Sequence, residues 1–303
     1  MRKCILGTDW WTDCDDAVAV RLLARAAIHN EIEFIGVGIN ACMPYSAASL
    51  DAFLASEGLT DIPIGIDLAA VDFLGRLSDY QKNLAPHAKR YRSNTDAEDA
   101  VRLYRRLLAA SDTPVELVEI GFLQVLANVL ESGADDISPL TGTELVREKV
   151  AKVWVMAGKW DENPGAEHNF NNNPRSCDGG ARFCAKCPVP VTFLGFEVGV
   201  SVITGGLTKN GGVLTEDDML YHVMCDHGSA DGRMSWDPMT ALLAVIGDEA
   251  AAGYDTVVGT ASVDPVTGEN RFIPDEQGLH RYVVKARPDA YYRDTVHARI
   301  ASK

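Results

Sequence analysis

Positive charge is scarce in this chain. Only 28 Lys and Arg face 43 Asp and Glu in 303 residues, a formal net charge of −15. That balance argues against nucleic acid or an anionic membrane surface as the partner. Long apolar runs are missing too: none could span a bilayer, and Met1-Arg2-Lys3 leads directly into a short strand without a signal-peptide apolar region. No internal repeat and no linker-like tract divides the chain. Gly36-Val37-Gly38 lacks the third glycine of a dinucleotide fingerprint, which leaves NAD binding with little support. Cysteine is sparse: seven, an odd number, fits reduced thiols in a cytosol better than a disulfide framework. Cys177, Cys184 and Cys187 have no evident fourth ligand nearby, and their segment has the spacing of a helix, so structural zinc is not expected there. The hydrophobic share, 47%, is ample for a full core. These features together predict a cytoplasmic protein of one domain, 1–303.

What is abundant is acid in one place. Ile5-Leu6-Gly7-Thr8-Asp9-Trp10-Trp11-Thr12-Asp13-Cys14-Asp15-Asp16-Ala17 puts four carboxylates within eight positions, between an apolar run and an alanine-rich apolar segment. The flanks predict a buried strand ending near Gly7 and a helix beginning near Asp15. Helix capping accounts for Asp13 or Asp15, but not for Asp9 at the strand end as well. Like charges this close need a cation or strong donors, and oxygen ligands of this kind suit Ca²⁺ or Mg²⁺. An EF-hand is excluded, since its sixth and twelfth places, counted from Asp9, hold Cys14 and Val20. A haloacid dehalogenase-type phosphatase is disfavoured because Asp13-Cys14-Asp15 lies well past the apolar run.

Further along, strands are expected at 33–40, 62–66, 115–120, 153–156, 189–195, 257–263 and 282–286. Helices are expected at about 45–56, 97–110, 122–130, 174–186, 216–225 and 238–246, with an irregular, polar stretch at 67–95. This alternation predicts an α/β fold: an open, mainly parallel sheet with helices on both faces. Polar clusters recur just after predicted strands, at Asn40, at Gly121–Gln124 and at Glu167-His168-Asn169. Such loops share the carboxyl edge of the sheet and can share a crevice. Asp237, between Trp236 and Pro238, adds an acid at the start of a late helix.

With these residues in view, the chain resembles the inosine-uridine-preferring nucleoside hydrolases. Asp9 to Ala17 is similar to that family's aspartate signature in a longer-loop form, with five residues instead of three between the first aspartate and the Asp-Asp pair. Asn40 falls where the family has an asparagine after its second strand. Ile120-Gly121-Phe122-Leu123-Gln124-Val125-Leu126-Ala127 resembles its Gly-Pro-Leu-Thr-Asn-Leu-Ala segment. Met156-Ala157-Gly158, Glu167-His168-Asn169 and Asn173-Pro174 resemble its Met-Gly-Gly, Glu-Phe-Asn and Asp-Pro block, and Ser235-Trp236-Asp237-Pro238 takes the place of its His-Asp-Pro. The similarity runs from about Lys3 to Gly268.

The resemblance implies a Ca²⁺-dependent hydrolase of the N-glycosidic bond of ribonucleosides or related ribosides, and a dimer or tetramer. It implies that Asp9, Asp16, the Gln124 carbonyl and Asp237 hold the ion. Asp15, Asn40, Glu167 and Asn169 would bind the ribose hydroxyls, with Asp237 on the substrate as well. Asp9 and Asp15 would be the catalytic acids, Asp9 as general base for a water held by the ion that attacks the anomeric carbon. Such cleavage builds positive charge on the sugar, which a carboxylate-rich pocket stabilises. Two departures stand out. Trp236 replaces the histidine associated with leaving-group protonation, and an indole N–H is no acid near neutral pH. The loop before Glu167 is shorter, and Asn163 is the nearest match to the asparagine that binds the 5′-hydroxyl. Trp236, Trp160 and Trp10 or Trp11 are candidates to stack on a flat aglycone, and His168 and His227 are candidate substitute acids. Besides a hydrolase, the sequence leaves open a sugar- or nucleoside-binding protein on the same fold, with catalysis lost along with the histidine, and a metal-dependent phosphatase.

Overall fold

β1 (Arg2–Thr8) is buried on both faces over Ile5 to Thr8, which suits a central strand of a parallel sheet. The structure, a computed structural model, describes residues 1–11 and 13–301; Thr12, inside the aspartate motif, lies outside the described residues. The remaining strands are β2 (Ile32–Ile39), β3 (Ile64–Ile66), β4 (Glu98–Asp99), β5 (Val115–Glu119), β6 (Val150–Met156) and β7 (Val191–Leu194). After them come β8 (Ile203–Thr204), β9 (Arg233–Met234), β10 (Tyr254–Val263), β11 (Asn270–Pro274) and β12 (His280–Lys285). Ten of the twelve form one sheet in the order β11-β10-β12-β7-β6-β5-β1-β2-β3-β4, while β8 and β9 pair separately. Every pairing from β12 to β4 is parallel, and β10 pairs antiparallel with both β11 and β12. The open α/β architecture is as expected from the alternation of elements.

β1 has β2 on one side and β5 on the other, so the strand order reverses at β1. Open sheets bind ligands outside the carboxyl end of that switch point. Helices Asp15–Ile28, Ser46–Ser56 and Trp236–Ile246 bury one face of the sheet, and Ala100–Ala110, Gln124–Glu131 and Pro174–Lys186 the other. Asp15–Ile28 and Trp236–Ile246 lie against each other. Arg2 ties the far end of the latter helix to the sheet: Nη1 donates to the Ala244 carbonyl at 2.8 Å and to Glu116 at 2.8 Å, and Nη2 to the Val245 carbonyl. These are orphan carbonyls of a helix terminus, satisfied by a cation.

Several elements were not anticipated. Helix Gly142–Lys149 opens with a capping box between Thr141 and Glu144. β11 alternates buried and exposed residues as an edge strand does. The C-terminal helix Asp289–Ala301 buries only Tyr292, Val296 and Ile300, one residue per turn. The helix expected from Ala97 starts at Ala100, capped by Asp99, whose side chain accepts from the Arg102 N–H at 3.0 Å. The irregular 67–95 stretch contains one short α-helix, Asp79–Leu84, followed by a 3₁₀ turn at Ala85–His87.

Glu119, at the end of β5, is buried away from the cavity described below. Tyr104 donates to Oε1 at 2.7 Å, and Oε2 has no hydrogen-bond partner. A Cβ on Gly7 would fall 1.9 Å from that oxygen, so only glycine leaves room for it on β1. Burial raises the Glu119 carboxyl to about 8, against the lowering bond from Tyr104. The unfolded chain releases this proton near pH 4.5, and the folded chain holds it to about 8. Its contribution to stability is therefore complete below the lower value and lost as pH rises through the upper one. Glu119→Gln should gain stability relative to wild type as pH rises from about 5 to 8, at up to about 1.4 kcal/mol per pH unit. Urea midpoints of the two proteins that run parallel over that range would contradict this.

Candidate functional site

The chain turns sharply as it leaves β1. Asp9 follows Thr8, and Trp10 takes a left-handed φ of 45°, rare for a bulky side chain. This turn aims the Trp10 N–H at Asp16 Oδ1, 3.2 Å away, and the Thr8 hydroxyl donates to the same oxygen. Asp15 and Asp16 fill the first turn of one helix and Asp237 the first turn of another. The Asp237 N–H donates to Asp15 Oδ2 at 3.1 Å, which locks the two helix starts together. Ligand oxygens of Asp15, Asp16 and Asp237 all lie within 4.8 Å of one another, and all three residues are buried. Two helix N-termini thus face one group of carboxylates, and their dipoles favour negative charge there.

Around this group lies a cavity of about 290 Å³, at the small end for a ligand site. Asp9, Asp13, Asp15, Asp16, Glu167 and Asp237 all border it. Burial, and then the charges of Asp15 and Asp13, raise Asp9 to about 7. Burial is also the first cause that lifts Asp15, Asp16 and Asp237 well above the usual carboxylate range, with neighbouring aspartates adding to it. A divalent cation answers both causes at once, since it pairs with the charge and replaces lost water. Three buried carboxylates converging from two chain segments suit an oxygen-ligated hard cation. The donor set therefore fits Ca²⁺ or Mg²⁺.

The opposite wall is built from the loop after β6. Glu167 Oε2 accepts from the Gly158 N–H at 3.0 Å and the Asn169 N–H at 2.9 Å, leaving Oε1 for a ligand. Burial still raises this carboxyl to about 7. Asn169 Nδ2 donates to the Met156 carbonyl at 2.9 Å, which leaves its Oδ1 as an acceptor. His168 borders the same space. Its Nε2 lies 3.1 Å from Asn172 Nδ2, and the amide orientation of Asn172 is set by Leu74, whose N–H donates to Oδ1 at 2.8 Å and whose carbonyl accepts from Nδ2 at 2.6 Å. Nε2 must then accept, so the proton sits on Nδ1. Burial lowers the pKa of His168 as well, so near neutral pH the ring is a neutral donor and not an imidazolium acid.

Of the residues singled out in the sequence, Asp9, Asp15, Asp16, Glu167, Asn169, Trp236 and Asp237 border the cavity. Asn40 and Gln124 do not border it: Asn40 Oδ1 accepts from the Phe122 N–H at 3.1 Å, and Gln124 Nε2 donates to the Asn40 carbonyl at 2.5 Å. Asn40 Nδ2 and Gln124 Oε1 are buried without partners. From β5 it is Ile120, at the strand end, that borders the cavity, whereas Gln124 begins a helix four residues later. Asn163 is exposed and points to the Phe272 carbonyl at 3.4 Å, outside the cavity. Three of the four tryptophans proposed for stacking are core residues. Trp160 packs on Phe193 and Tyr282, and Trp10 on Phe53 and Tyr80, while Trp11 packs on Phe73. Trp236 alone presents its ring, stacked on Phe196 at 5.4 Å, and its Nε1–H is spent on the Phe196 carbonyl at 2.8 Å. His227 stands behind Asp13, 3.8 Å from it, and does not border the cavity. Sequence reasoning missed Phe196 and Arg233. Phe196 follows the strand expected at 189–195, and Arg233 stands two residues before the 235–238 motif; their positions were the signal, since neither residue type marks a site by itself.

No family model matches this chain, and no curated protein matches it. Solved structures do. A plant nucleoside hydrolase aligns with a TM-score of 0.74 at 16% identity, covering 100% of this chain and 99% of that one. An inosine-uridine-preferring nucleoside hydrolase from Bacillus anthracis aligns with a TM-score of 0.69 at 16% identity, covering 99% of each. The type III effector protein XopQ, in complex with adenosine diphosphate ribose, aligns with a TM-score of 0.71 at 14% identity, covering 99% of this chain and 93% of that one. Over its whole described length, then, this chain has the fold of the nucleoside hydrolases.

Proposed function

We propose that this protein is a Ca²⁺-dependent hydrolase of the N-glycosidic bond of a ribonucleoside or related riboside. The observation that carries the reading is the convergence, at the sheet's switch point, of Asp9, Asp15, Asp16 and Asp237 opposite Glu167 and Asn169. The free side-chain oxygens on both walls are acceptors, which suits a ligand whose hydroxyls donate. The neighbours named as nucleoside hydrolases, and the one that holds adenosine diphosphate ribose, support a ribose-bearing ligand.

Asp16 and Asp237, of the converging group, would hold the cation together with Asp9, with Ile120 bordering the same space. When bound, the ion supplies the charge that keeps these carboxylates ionised and acidifies a neighbouring water. Glu167 Oε1, Asn169 Oδ1 and Asp15 would accept from the ribose hydroxyls and fix the sugar. Water attacks the anomeric carbon as the glycosidic bond breaks, and Asp9 takes its proton. Positive charge that develops on the ring faces carboxylates already fixed by N–H donors, so little reorganisation is needed. A second reading, binding of a riboside without turnover, rests on Trp236, which offers no proton to a leaving group.

Protein purified without chelator should carry about one calcium per chain, and excess Ca²⁺ should raise the melting temperature. At a hundredfold over Kd the gain is about 2.7 kcal/mol, and Asp237→Asn should remove it. A zinc stoichiometry would overturn the assignment. Glu167→Ala and Asn169→Ala should each lower kcat/KM by at least about 2 kcal/mol, because ribose hydroxyls are left unpaired in a buried site. Unchanged turnover in both variants would remove these residues from the site. With no acid at position 236, p-nitrophenyl riboside should be cleaved far faster than inosine or uridine, which a comparison of the three kcat/KM values decides. Absence of reducing sugar from all three would favour the binding reading.

A further inference from the structure

Among the residues that border the cavity, Arg233 is the one permanent cation. It pairs with Thr204 in the short β8–β9 ribbon and reaches from β9 to Asp13. Nε lies 2.9 and 3.1 Å from the two Asp13 oxygens and Nη2 lies 2.5 Å from Oδ2, a forked pair that orients the guanidinium and leaves Nη1 for a ligand. His227 Nε2 backs Asp13 from 3.8 Å. The Arg233 guanidinium carbon stands 5.5 Å from the centre of the Trp236 ring. Trp236 and Phe196, stacked on each other, both border the cavity, with the Trp236 N–H spent on the Phe196 carbonyl. A planar group in the cavity beside these rings therefore lies within reach of Arg233, which stands over the Trp236 ring.

We infer that Arg233 is the leaving-group residue of this site: it holds the negative charge of the departing aglycone, and Asp13 is the positioning residue that aims it. The inference rests on the riboside hydrolase reading. In the step, the bond from the anomeric carbon to the aglycone breaks and its electron pair leaves on the aglycone. The aglycone departs as an anion against the guanidinium and afterwards takes a proton from solvent. Water forms the new bond to the anomeric carbon, and its proton passes through Asp9 to solvent. No acid is needed, and neither Trp236 nor Phe196 supplies one. This also gives Asp13 a role distinct from that of its neighbours: it belongs to the rim with Cys14 and His227, whereas Asp15, Asp16 and Asp237 form the inner group.

The test is a series of aryl ribosides of graded leaving-group acidity, with inosine as the poor leaving group. Arg233→Gln should lose about 10- to 100-fold in kcat/KM on inosine, the size of a charge-assisted hydrogen bond. On p-nitrophenyl riboside it should lose no more than about threefold, as for an ordinary surface substitution. The dependence on leaving-group acidity should steepen, Arg233→Lys should recover part of the loss, and Asp13→Asn should show the same pattern more weakly. An equal loss across the series would overturn the inference. A second measurement is independent of turnover. In ribose-saturated protein, bound 4-nitrophenol, followed by its nitrophenolate absorbance, should ionise at lower pH in wild type than in Arg233→Gln. Equal ionisation in both, or no binding, would also overturn it. If no riboside is cleaved, the hydrolase reading fails, while the nitrophenol titration still decides the place of Arg233.

Discussion

Six carboxylates around one small cavity set the terms for the rest of this molecule. Each would repel its neighbours if ionised, and each loses water by being buried. The fold meets this with fixed donors and not with mobile ones. The Thr8 hydroxyl and Trp10 N–H hold Asp16, the Asp237 N–H holds Asp15, and the Gly158 and Asn169 N–H groups hold Glu167. Only Asp13, at the rim, is held by a full positive charge; burial opposes its ionisation, but Arg233 outweighs it and the carboxyl sits below its usual range. The inner carboxylates have no such partner among the described side chains, and that asymmetry is what makes the inner group suited to a cation.

The same constraint explains the route of the chain. A left-handed residue directly after a buried strand is costly. Here it is stabilised by the surroundings of the Trp10 ring, which is wholly buried among Phe53 and Tyr80 with its Nε1–H donating to Ser49 at 2.9 Å. Gln81, from the short helix in the otherwise irregular 67–95 stretch, donates to the Trp10 carbonyl. That stretch is therefore part of the support for the site, although its own sequence has little pattern.

Much of the fold was legible because its central strands are short apolar runs bounded by polar loops, which is how a buried parallel sheet looks in sequence. What escaped were elements with one buried residue per turn, such as Asp289–Ala301, or a single alternating edge, such as β11. The acidic loop was legible for a different reason: capping accounts for only some of its charges. Asn163 and Trp160 illustrate the limit. Residue type gave their chemistry, but which way each faces depends on packing with Phe272, Phe193 and Tyr282, residues far away in the chain. Arg233 was invisible for the same reason, since its partner Asp13 is 220 residues distant.

Arg2 lies at the opposite end of β1 from Asp9, a separation of roughly 20 Å for a strand of seven residues. By gripping the last carbonyls of the helix whose first turn carries Asp237, it joins that helix to the strand at one end, while at the other the Asp237 N–H ties it to Asp15, in the first turn of the helix that follows β1. The helix is thus a strut pinned at both ends, which fixes the place of Asp237 beside Asp15 and Asp16. Affinity for the proposed cation and the docking of the N-terminal residues would then be linked quantities, each strengthening the other by the same factor. A surface residue at the edge of the protein that never touches the ion would in this way help set how tightly it is held.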